Sequence, residues 1–480
     1  MREQIAPIAV SLPKEQQVIL EGWAMVQRAP CMVWQPTSVE EIGAVLDVAR
    51  QRGRTVAPRG AGYSYTDAAL NEGGIVLDLS HMCHVLAWDA TQGIITVEPG
   101  VTIRMLWQTV VADGWWPPVV PGTMGPTIGG CLGMNIHGKN AWRMGSIGEH
   151  VLAFDLLSPQ GTITTVTRQS DAELFHAAIG GLGMLGIITS ITLQMQRIVS
   201  GKLATRTFVT DNLAEMFARF AEHTPDADYL VGWIDGFATG AALGRGLVER
   251  ADFETTPDPQ SLHTTSQDMP PTIAGIVPRS QMWRVMKLML NDRGMRLANA
   301  ANMRRGKGSN AALHRVPHAQ FHFFHDYLPN AKRAWLPGGL RQFQTFIPHN
   351  HALAVCTELL TRSHQAHLFP YLCVLKQHRA DPFLLRYQTD GFSLSLDFHV
   401  TAHHAQRITA LFADLQVPVL AAGGTFFSAK DDTLDAATYA RTVGSERITR
   451  FLALKQQHDP EGLLQSDLFR RLFGCTTTTS

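Results

Sequence analysis

The chain has 480 residues, of which 45% are hydrophobic and 17% are charged. This composition supplies enough apolar material for large cores and excludes a wholly disordered chain. The 41 Lys and Arg residues balance the 41 Asp and Glu residues, and because nucleic-acid binders usually carry a basic excess, we expect no nucleic-acid partner. At about 150 residues per domain, the length indicates roughly two to four domains or lobes.

Targeting signals and cysteine spacing indicate the cellular compartment in which we expect the protein. The sequence lacks a run of about 18 apolar residues, so no transmembrane segment is predicted. Its first 17 residues lack the basic and apolar regions of a secretory signal. Six scattered cysteines without a CxxC pair favour reduced thiols over disulfides or zinc. We expect a cytoplasmic location, or a peripheral one at the inner face of a membrane.

The first 200 residues alternate helix and strand patterns. Ser38 and Glu41 form a capping-box pattern before a helical run that Gly53 ends. Further along, the patterns predict strands at 55–58, 74–79 and 94–98, a helix at 101–112, a hairpin over 151–166 and a strand at 185–194. Residues 1–200 are therefore expected to form one α+β domain.

The middle of the chain contains two polar segments rich in Pro, Gly, Ser and Asn. Residues 255–272 and 298–310 are predicted to be mobile excursions, because their composition buries little apolar area. Around them the patterns predict strands and helices at 229–235, 341–347, 352–362, 371–376, 392–400 and 405–415. We expect residues 201–415 to form a second domain and residues 416–480 to return to the first.

Two short motifs suggest phosphate binding but lie in the wrong context. Residues 181–186 match GxGxxG, yet a helix pattern precedes them and a strand pattern follows, the reverse of a dinucleotide fingerprint. Residues 133–140 nearly match a P-loop, but Asn140 stands where Ser or Thr would bind magnesium. We therefore predict neither an NAD site nor a P-loop site.

Two glycine-rich segments are stronger candidates. One is PRGAGYSY at residues 58–65, and the other is PGTMGPTIGGCLGMNIHGKN at residues 121–140. Because Gly lacks a Cβ, backbone amides there can approach a diphosphate and form an anion nest. Turn formation alone would explain one such loop. Two loops together indicate a large phosphate-bearing cofactor, since they also carry the polar side chains of Arg59, His137 and Lys139.

Two other groups of polar residues remain less specific. Asp397 lies on an alternating strand pattern, where it is either catalytic or a buried structural acceptor. His399, His403 and His404 approach the spacing of zinc ligands on a helix, but His399 falls in a predicted strand. No metal site is predicted.

With these segments the sequence resembles the FAD-linked oxidoreductases of the vanillyl-alcohol-oxidase type. Within the cofactor lobe, the resemblance rests on PRGAGYSYTD, PGT with TIGGCLGMNIHGKN, GSIGEHV and ELFHAAIGGLGMLGIIT. The sequence more closely resembles the decaprenylphosphoryl-ribose oxidase branch, through GGLRQFQTFIP, YLCVLKQHR, GFSLSLDFHV, GGTFFSAKDD and DPEGLLQSDLFRRL. The resemblance covers most of the chain but not the two polar segments.

The resemblance implies an α+β fold and a set of site residues. An FAD-binding domain of two subdomains would face a substrate domain with an antiparallel sheet and flanking helices. FAD contacts are implied for Arg59, Gly60, Ala61, Gly62, Tyr63, Ser64, Tyr65, Gly122, Thr123, Thr127, Gly130, Cys131, Asn135, Ile136, His137, Gly138 and Ile187. Substrate contacts are implied for Lys139, Gln342, Gln344, Lys376, Ser395 and Lys430. Lys430 would remove or orient the reacting proton, assisted by Tyr65 and His137.

Three positions depart from relatives in the family. Covalent members often carry His where this chain has Tyr63, so we expect non-covalent FAD. The mycobacterial enzymes carry Cys at the position of Ser395 and Tyr at that of Phe427. Because both positions would flank the pocket, these changes allow a substrate other than decaprenylphosphoryl-ribose.

The resemblance implies oxidation of a secondary hydroxyl, on a lipid-linked or nucleotide-linked pentose, to a ketone. In the family a separate short-chain dehydrogenase reduces that ketone, so the net reaction is epimerisation. An oxidase of a soluble sugar, nucleoside or natural-product alcohol is the main alternative. A flavin-dependent C=C reductase is disfavoured by the three lysines, and a non-enzymatic flavoprotein by the intact Lys430, Gln342 and Gln344.

Overall fold

The computed structural model describes residues 16–273 and 275–474. The interpretation of the N-terminus as lacking a secretory signal therefore lies almost wholly outside the described residues, as does Cys475. The other five cysteines are free thiols, and four of them are buried. Within the described ranges, none of the helices is both long and apolar enough to cross a membrane.

A four-stranded sheet opens the fold, in the order β1-β2-β4-β3. Its strands are β1 (Gln16–Glu21), β2 (Arg28–Trp34), β3 (Val56–Arg59) and β4 (Ile75–Asp78). Helix α1 (Val39–Gln51) begins at Ser38, whose side chain accepts the N–H of Glu41 as the sequence predicts. The buried face of α1 packs on the sheet through Ile42, Val45, Leu46 and Ala49.

A five-stranded antiparallel sheet follows, in the order β5-β6-β10-β8-β9. It contains β5 (Val85–Asp89), β6 (Ile94–Val97), β8 (Val151–Leu157), β9 (Ile163–Thr167) and β10 (Ile187–Gln194). The short strand β7 (Trp115–Trp116) pairs separately with β11 (Gln196–Arg197). Helices of this region are α2 (Ile103–Val110), α3 (Ile128–Gly133), α4 (Ala141–Met144) and α5 (Ala172–Ala178).

An eight-stranded sheet forms the second half, in the order β17-β12-β14-β13-β19-β20-β18-β21. Its strands are β12 (Lys202–Thr210), β13 (Tyr229–Ile234), β14 (Gly246–Phe253), β17 (His314–Pro317), β18 (Leu340–Pro348), β19 (Leu372–His378), β20 (Gly391–His399) and β21 (Thr425–Phe426). All its pairings are antiparallel. It packs against α6 (Leu213–His223), α11 (His349–Gln365) and α12 (Ala405–Ala421).

The segment between β14 and β17 differs from the sequence prediction. Residues 298–310 were expected to be an excursion, but all except the last two belong to α8 (Asp292–Gly308), which Asn291 caps. Although their composition is polar, Asn299, Met303 and Gly306 recur at helical spacing and form a narrow buried face of α8. Residues 255–272 contain two short 3-10 turns that bury Ser261 and Gln267. The segment also contains a small hairpin, β15 (Thr272–Ile273) with β16 (Val277–Pro278), and the helix α7 (Met282–Met289). The short helices α9 (His318–His322) and α10 (Phe324–Tyr327) follow β17.

The C-terminal helices are α13 (Ala436–Val443), α14 (Ser445–His458) and α15 (Asp467–Phe473). Their segment contacts the first sheet, because Gln465 N–H donates to the Val56 carbonyl. Arg471 of α15 also pairs with Asp67 at 2.7 Å. The predicted α+β fold, with an antiparallel sheet in the second half, is confirmed.

Candidate active site

A large cleft lies between the two N-terminal sheets and the eight-stranded sheet. Its cavity volume is about 280 Å³. Its walls are the loop after β3, the loop that leads into α3, one face of β18–β20, and the segment 427–430. Both glycine-rich segments named from the sequence therefore meet in one cavity.

The loop after β3 is shaped for close approach by an anion. An added Cβ on Gly60 would lie 1.9 Å from the Thr127 hydroxyl oxygen, and Gly62 has a φ of +69° that favours glycine. Among the described residues, the backbone N–H groups of Ala61, Gly62, Tyr63 and Ser64 find no acceptor. Four consecutive free amides along a cleft are a nest that suits a diphosphate.

The second loop complements the first. Gly122 and Thr123 line the cleft, and no acceptor for their N–H groups lies within the described part of the chain. Thr127 caps α3 by accepting the Gly130 N–H. The first loop is held from the opposite side, since Tyr65 N–H donates to the Ala429 carbonyl at 2.9 Å. These contacts fix both loops relative to the segment that carries Lys430.

Most residues predicted for the site line this cleft. From the cofactor set these are Arg59, Gly60, Ala61, Gly62, Tyr63, Ser64, Tyr65, Gly122, Thr123, Thr127, Gly130, Cys131, Ile136 and His137. From the substrate set they are Gln342, Gln344, Lys376, Ser395 and Lys430. The structure thus brings together side chains that lie up to 371 positions apart in the chain.

Four predicted residues lie behind the lining. Asn135 is buried, with its side-chain oxygen accepting the Gly148 N–H. Gly138 faces the Asn140 side chain, which a Cβ would approach to 2.6 Å. Ile187 packs in the core of the first sheet, although its neighbours Gly186 and Ile188 line the cleft. These three residues support the cleft wall from the inside.

Lys139 is the fourth such residue. Its Nζ donates to the Phe321 carbonyl and lies 3.9 Å from the Phe321 ring centroid. Burial lowers the pKa of Lys139. Its positive charge nevertheless affects the cleft. The pKa of Lys376 is lowered mainly by burial, and the charge of Lys139 is the second cause. Lys139 therefore affects Lys376 electrostatically and does not line the cleft.

The substrate-side residues form cross-strand pairs on three neighbouring strands. Gln342 of β18 stands opposite Asp397 of β20, and Gln344 opposite Ser395. Because alternate residues of a strand share a face, the side chains of these pairs point to the same side of the sheet. β19 continues them with two residues that sequence reasoning missed, Leu372 and Val374, both lining the cleft. The period of two, counted back from Lys376, would have found them.

His137 is held by a defined hydrogen-bond network. The Tyr387 hydroxyl donates to the Asn135 carbonyl at 2.6 Å, so its oxygen accepts from His137 Nδ1, 3.1 Å away. His137 Nε2 then accepts from the Gln344 side-chain amide at 3.1 Å. Burial, and then the charges of Lys376, lower the pKa of His137 far below its usual range. His137 is neutral with its lone pair in use, which favours a positioning role for it.

Lys430 lies among groups that control its charge. Its Nζ sits 3.1 Å from the ring centroid of Tyr65. Burial lowers the pKa of Lys430 far below its ordinary value, while the Asp397 carboxylate opposes this and Lys376 adds to it. Burial also raises the pKa of Asp397, whose carboxylate accepts from Gln342. Of the two roles open for Asp397, the structure shows a buried acceptor of the Gln342 amide, whose charge also acts on Lys430.

Two further residues of the lining carry no motif in the sequence. Trp23 stacks on Tyr65 with ring centroids 4.7 Å apart. His325 donates its backbone N–H to the Gly122 carbonyl and lines the cleft. Burial, then the charges of Lys430 and other lysines, lower the pKa of His325 to about 4. Trp23 lies between β1 and β2 and His325 lies in α10, both outside the glycine-rich segments, so no local pattern could place them here.

The two misleading motifs are explained by the fold. Residues 181–186 follow α5 and lead into β10, the reverse of a dinucleotide fingerprint. Gly183 and Gly186 nevertheless line the cleft. In the P-loop-like segment, Asn140 turns inward and donates to the Pro118 carbonyl. His399 likewise contacts the Trp335 carbonyl.

Comparison with known proteins identifies the cofactor. Residues 30–167 match the family model of the FAD binding domain, and this range includes both glycine-rich loops. The free amides of those loops fit the diphosphate of FAD. Residues 30–167 therefore form an FAD-binding domain, and the chain is an FAD-dependent oxidoreductase.

The likeness to one relative extends over nearly the whole chain. This chain is 28% identical over 463 residues to decaprenylphosphoryl-beta-D-ribose oxidase of Mycolicibacterium smegmatis, and the match covers 94% of this chain and 97% of that protein. Bovine (Bos taurus) L-gulonolactone oxidase is 32% identical over 213 residues, covering 44% of this chain and 47% of that protein. D-lactate dehydrogenase of Anaerostipes hadrus is 30% identical over 172 residues, covering 35% and 36%.

Gly60→Ala is expected to weaken FAD binding about tenfold or more, because the added methyl must push Thr127 and separate the two loops. The measurement is titration of the apoprotein with FAD, followed by fluorescence. Gly43→Ala in α1 is the matched control, since a Cβ there meets nothing within 4 Å. Unchanged affinity for Gly60→Ala would mean that this loop does not contact the cofactor.

Acid precipitation of the purified yellow protein is expected to release the flavin into the supernatant. The resemblance implies that covalent members often carry His where this chain has Tyr63, so we expect no covalent link at this position. Absorbance of the supernatant and of the redissolved pellet measures the partition. Flavin retained in the pellet would contradict non-covalent binding and direct attention to His325 and Cys131, which also line the cleft.

Proposed function

We propose that this protein oxidises a secondary hydroxyl of a sugar to a ketone, the sugar being a pentose linked to a polyprenyl phosphate or to a nucleotide. The observation that carries the proposal is the half-buried Lys430 in one cleft lining with Gln342, Gln344, Lys376 and Ser395. When bound, FAD supplies the hydride acceptor at N5 of its ring. The protein must then place the carbinol and take its hydroxyl proton.

Lys430 is the group best suited to accept that proton. A general base works best when its pKa is near the working pH, and burial moves the pKa of Lys430 in that direction. Tyr65 is less suited, because burial raises its pKa further. His137 is less suited because its Nε2 already accepts from Gln344. Lys430 is thus the proposed catalytic base, and Tyr65 lies against it.

The remaining polar groups suit a hydroxyl-rich, anionic substrate. Gln344 is oriented by His137, and its carbonyl oxygen has no donor within the described residues, so it is free to accept from a sugar hydroxyl. Lys376 adds a second amine, half-buried in the cleft lining, whose pKa is lowered to about 8 by burial. At neutral pH most of this group stays protonated, which suits a substrate phosphate. Lys139 adds positive charge from behind the wall.

A second candidate function is oxidation of a soluble sugar, nucleoside or natural-product alcohol. It is favoured by Ser395 and Phe427, because both line the cleft at positions where the mycobacterial enzymes carry other side chains. In either case the ketone would need a separate reductase to complete an epimerisation. A short-chain dehydrogenase is the partner that the family resemblance implies.

Anaerobic reduction of the bound flavin tests these alternatives. Polyprenyl-phosphate pentoses, nucleotide pentoses and free sugars would each be mixed with the protein, and the loss of flavin absorbance followed. Bleaching by a phosphate-bearing pentose, with a ketone recovered, is the expected result. Bleaching only by uncharged alcohols would favour the second function. Bleaching by none of the alcohols, but by NADPH, would favour a reductase and overturn both.

A further inference from the structure

One stretch of the surface concentrates positive charge in a chain that has equal numbers of basic and acidic residues overall. Residues 276–308, here called the basic surface, contain eight Lys and Arg residues and one acidic residue, Asp292. They comprise β16, α7, α8 and the short turns between them. Asp292 is already engaged, since it accepts from the Tyr371 hydroxyl at 3.0 Å.

Large apolar side chains are exposed on the same surface. Ile276 is 82% exposed, Leu288 78%, Leu297 65% and Val285 46%. Exposure of this many large aliphatic residues on adjoining elements marks an interaction surface. The opposite side of the same helices is buried against the protein through Met286, Leu290 and Met295. Their exposed faces therefore have no partner in the described part of the chain.

Seven of the eight basic residues are exposed, although Arg296 also lies over the rings of Phe237 and Phe369. The exposed ones are Arg284, Lys287, Arg293, Arg296, Arg304, Arg305 and Lys307. Within residues 16–273 and 275–474, none of the seven is paired with a carboxylate. A helix pair with aliphatic residues between unpaired Lys and Arg is typical of a segment that lies in the interface of an anionic membrane.

We propose that the basic surface binds an anionic lipid bilayer. The charge argues against a second copy of this chain as the partner, because two such surfaces would repel each other. The position argues for a link to the active site: the buried side of α7 and α8 packs in one cluster with Trp23 and Tyr65, which line the cleft. Binding would hold the cleft beside the bilayer, which favours the lipid-linked substrate in the proposed function.

The test is flotation of the FAD-loaded protein with lipid vesicles. We expect binding to vesicles of phosphatidylcholine with phosphatidylglycerol and little binding to phosphatidylcholine alone. Reversal of three charges, in the variant Arg304→Glu/Arg305→Glu/Lys307→Glu, should weaken binding more than about 100-fold, since each basic residue contributes about fivefold. Val285→Ser/Leu288→Ser should weaken it at least about tenfold. Arg407→Glu and Val417→Ser, at exposed positions on α12, are the matched controls and should bind normally.

Three results would overturn the proposal. They are equal binding to neutral vesicles, full binding by the variants, or concentration-dependent self-association that the same variants abolish. Flavin absorbance and the melting temperature of each variant establish that it is folded. Vesicle binding is measured without substrate, so its failure is distinct from failure of the proposed oxidation, which is measured by flavin bleaching in detergent.

Discussion

Lys430→Met is expected to lower the rate of flavin reduction by substrate on the order of 100- to 10,000-fold, the usual contribution of a general base. The protein should keep its FAD, because Lys430 reaches the cleft from the segment 427–430 and not from the two glycine-rich loops. A methionine preserves most of the packing beside Tyr65 while it removes the amine. Stopped-flow bleaching with a competent substrate measures the rate, and absorbance at equilibrium measures the bound flavin.

Lys332→Met provides the matched control. Lys332 is half-exposed and lies 3.6 Å from Glu21, and exposed pairs of this kind contribute only about 0–1 kcal/mol. We therefore expect normal bleaching from this variant. If Lys430→Met also bleached at a near-normal rate, Lys430 would not be the base. Tyr65 would then become the leading candidate, since the Nε2 lone pair of His137 is occupied.

The sequence predicted that the two glycine-rich loops belong to one site, and both line the same cleft, because their chemistry is local. Gly60 and Gly62 must be glycines for a reason that neighbouring residues reveal, namely a backbone that approaches another group closely. The same reasoning failed for residues 298–310, because composition alone suggested a loop. The buried positions of α8 are small or polar, and only their helical spacing would have indicated a packed face.

The polar network of the site depends on contacts that no local pattern contains. Tyr387 orients His137 from 250 positions away, and Asp397 faces Gln342 across two strands. A sequence shows that such residues exist but not which side each one turns to. Lys139 illustrates the point: it follows His137 closely in the chain, yet its amine lies behind the wall at Phe321.

The charges around Lys430 are expected to set the acid limb of the pH dependence of flavin reduction. The limb falls where the amine becomes protonated, because a protonated amine cannot accept the substrate proton. Asp397→Asn removes a negative charge that favours the ammonium form, so the pKa of Lys430 falls and the limb moves to lower pH. Lys376→Met removes a positive charge that disfavours it, so the limb moves to higher pH. The direction of each shift follows from the sign of the charge that is removed.

The measurement is the rate of flavin bleaching at saturating substrate from about pH 5 to pH 9, the range in which a base of near-neutral pKa titrates. Saturation removes any effect of Lys376 on substrate binding. Ser393→Ala is the matched control, because Ser393 stands opposite Lys376 on β20 and carries no charge. Opposite shifts in the two charge variants would assign the limb to Lys430. Shifts in the same direction, or a limb that stays in place, would assign it to another group and remove the basis for Lys430 as the proton acceptor.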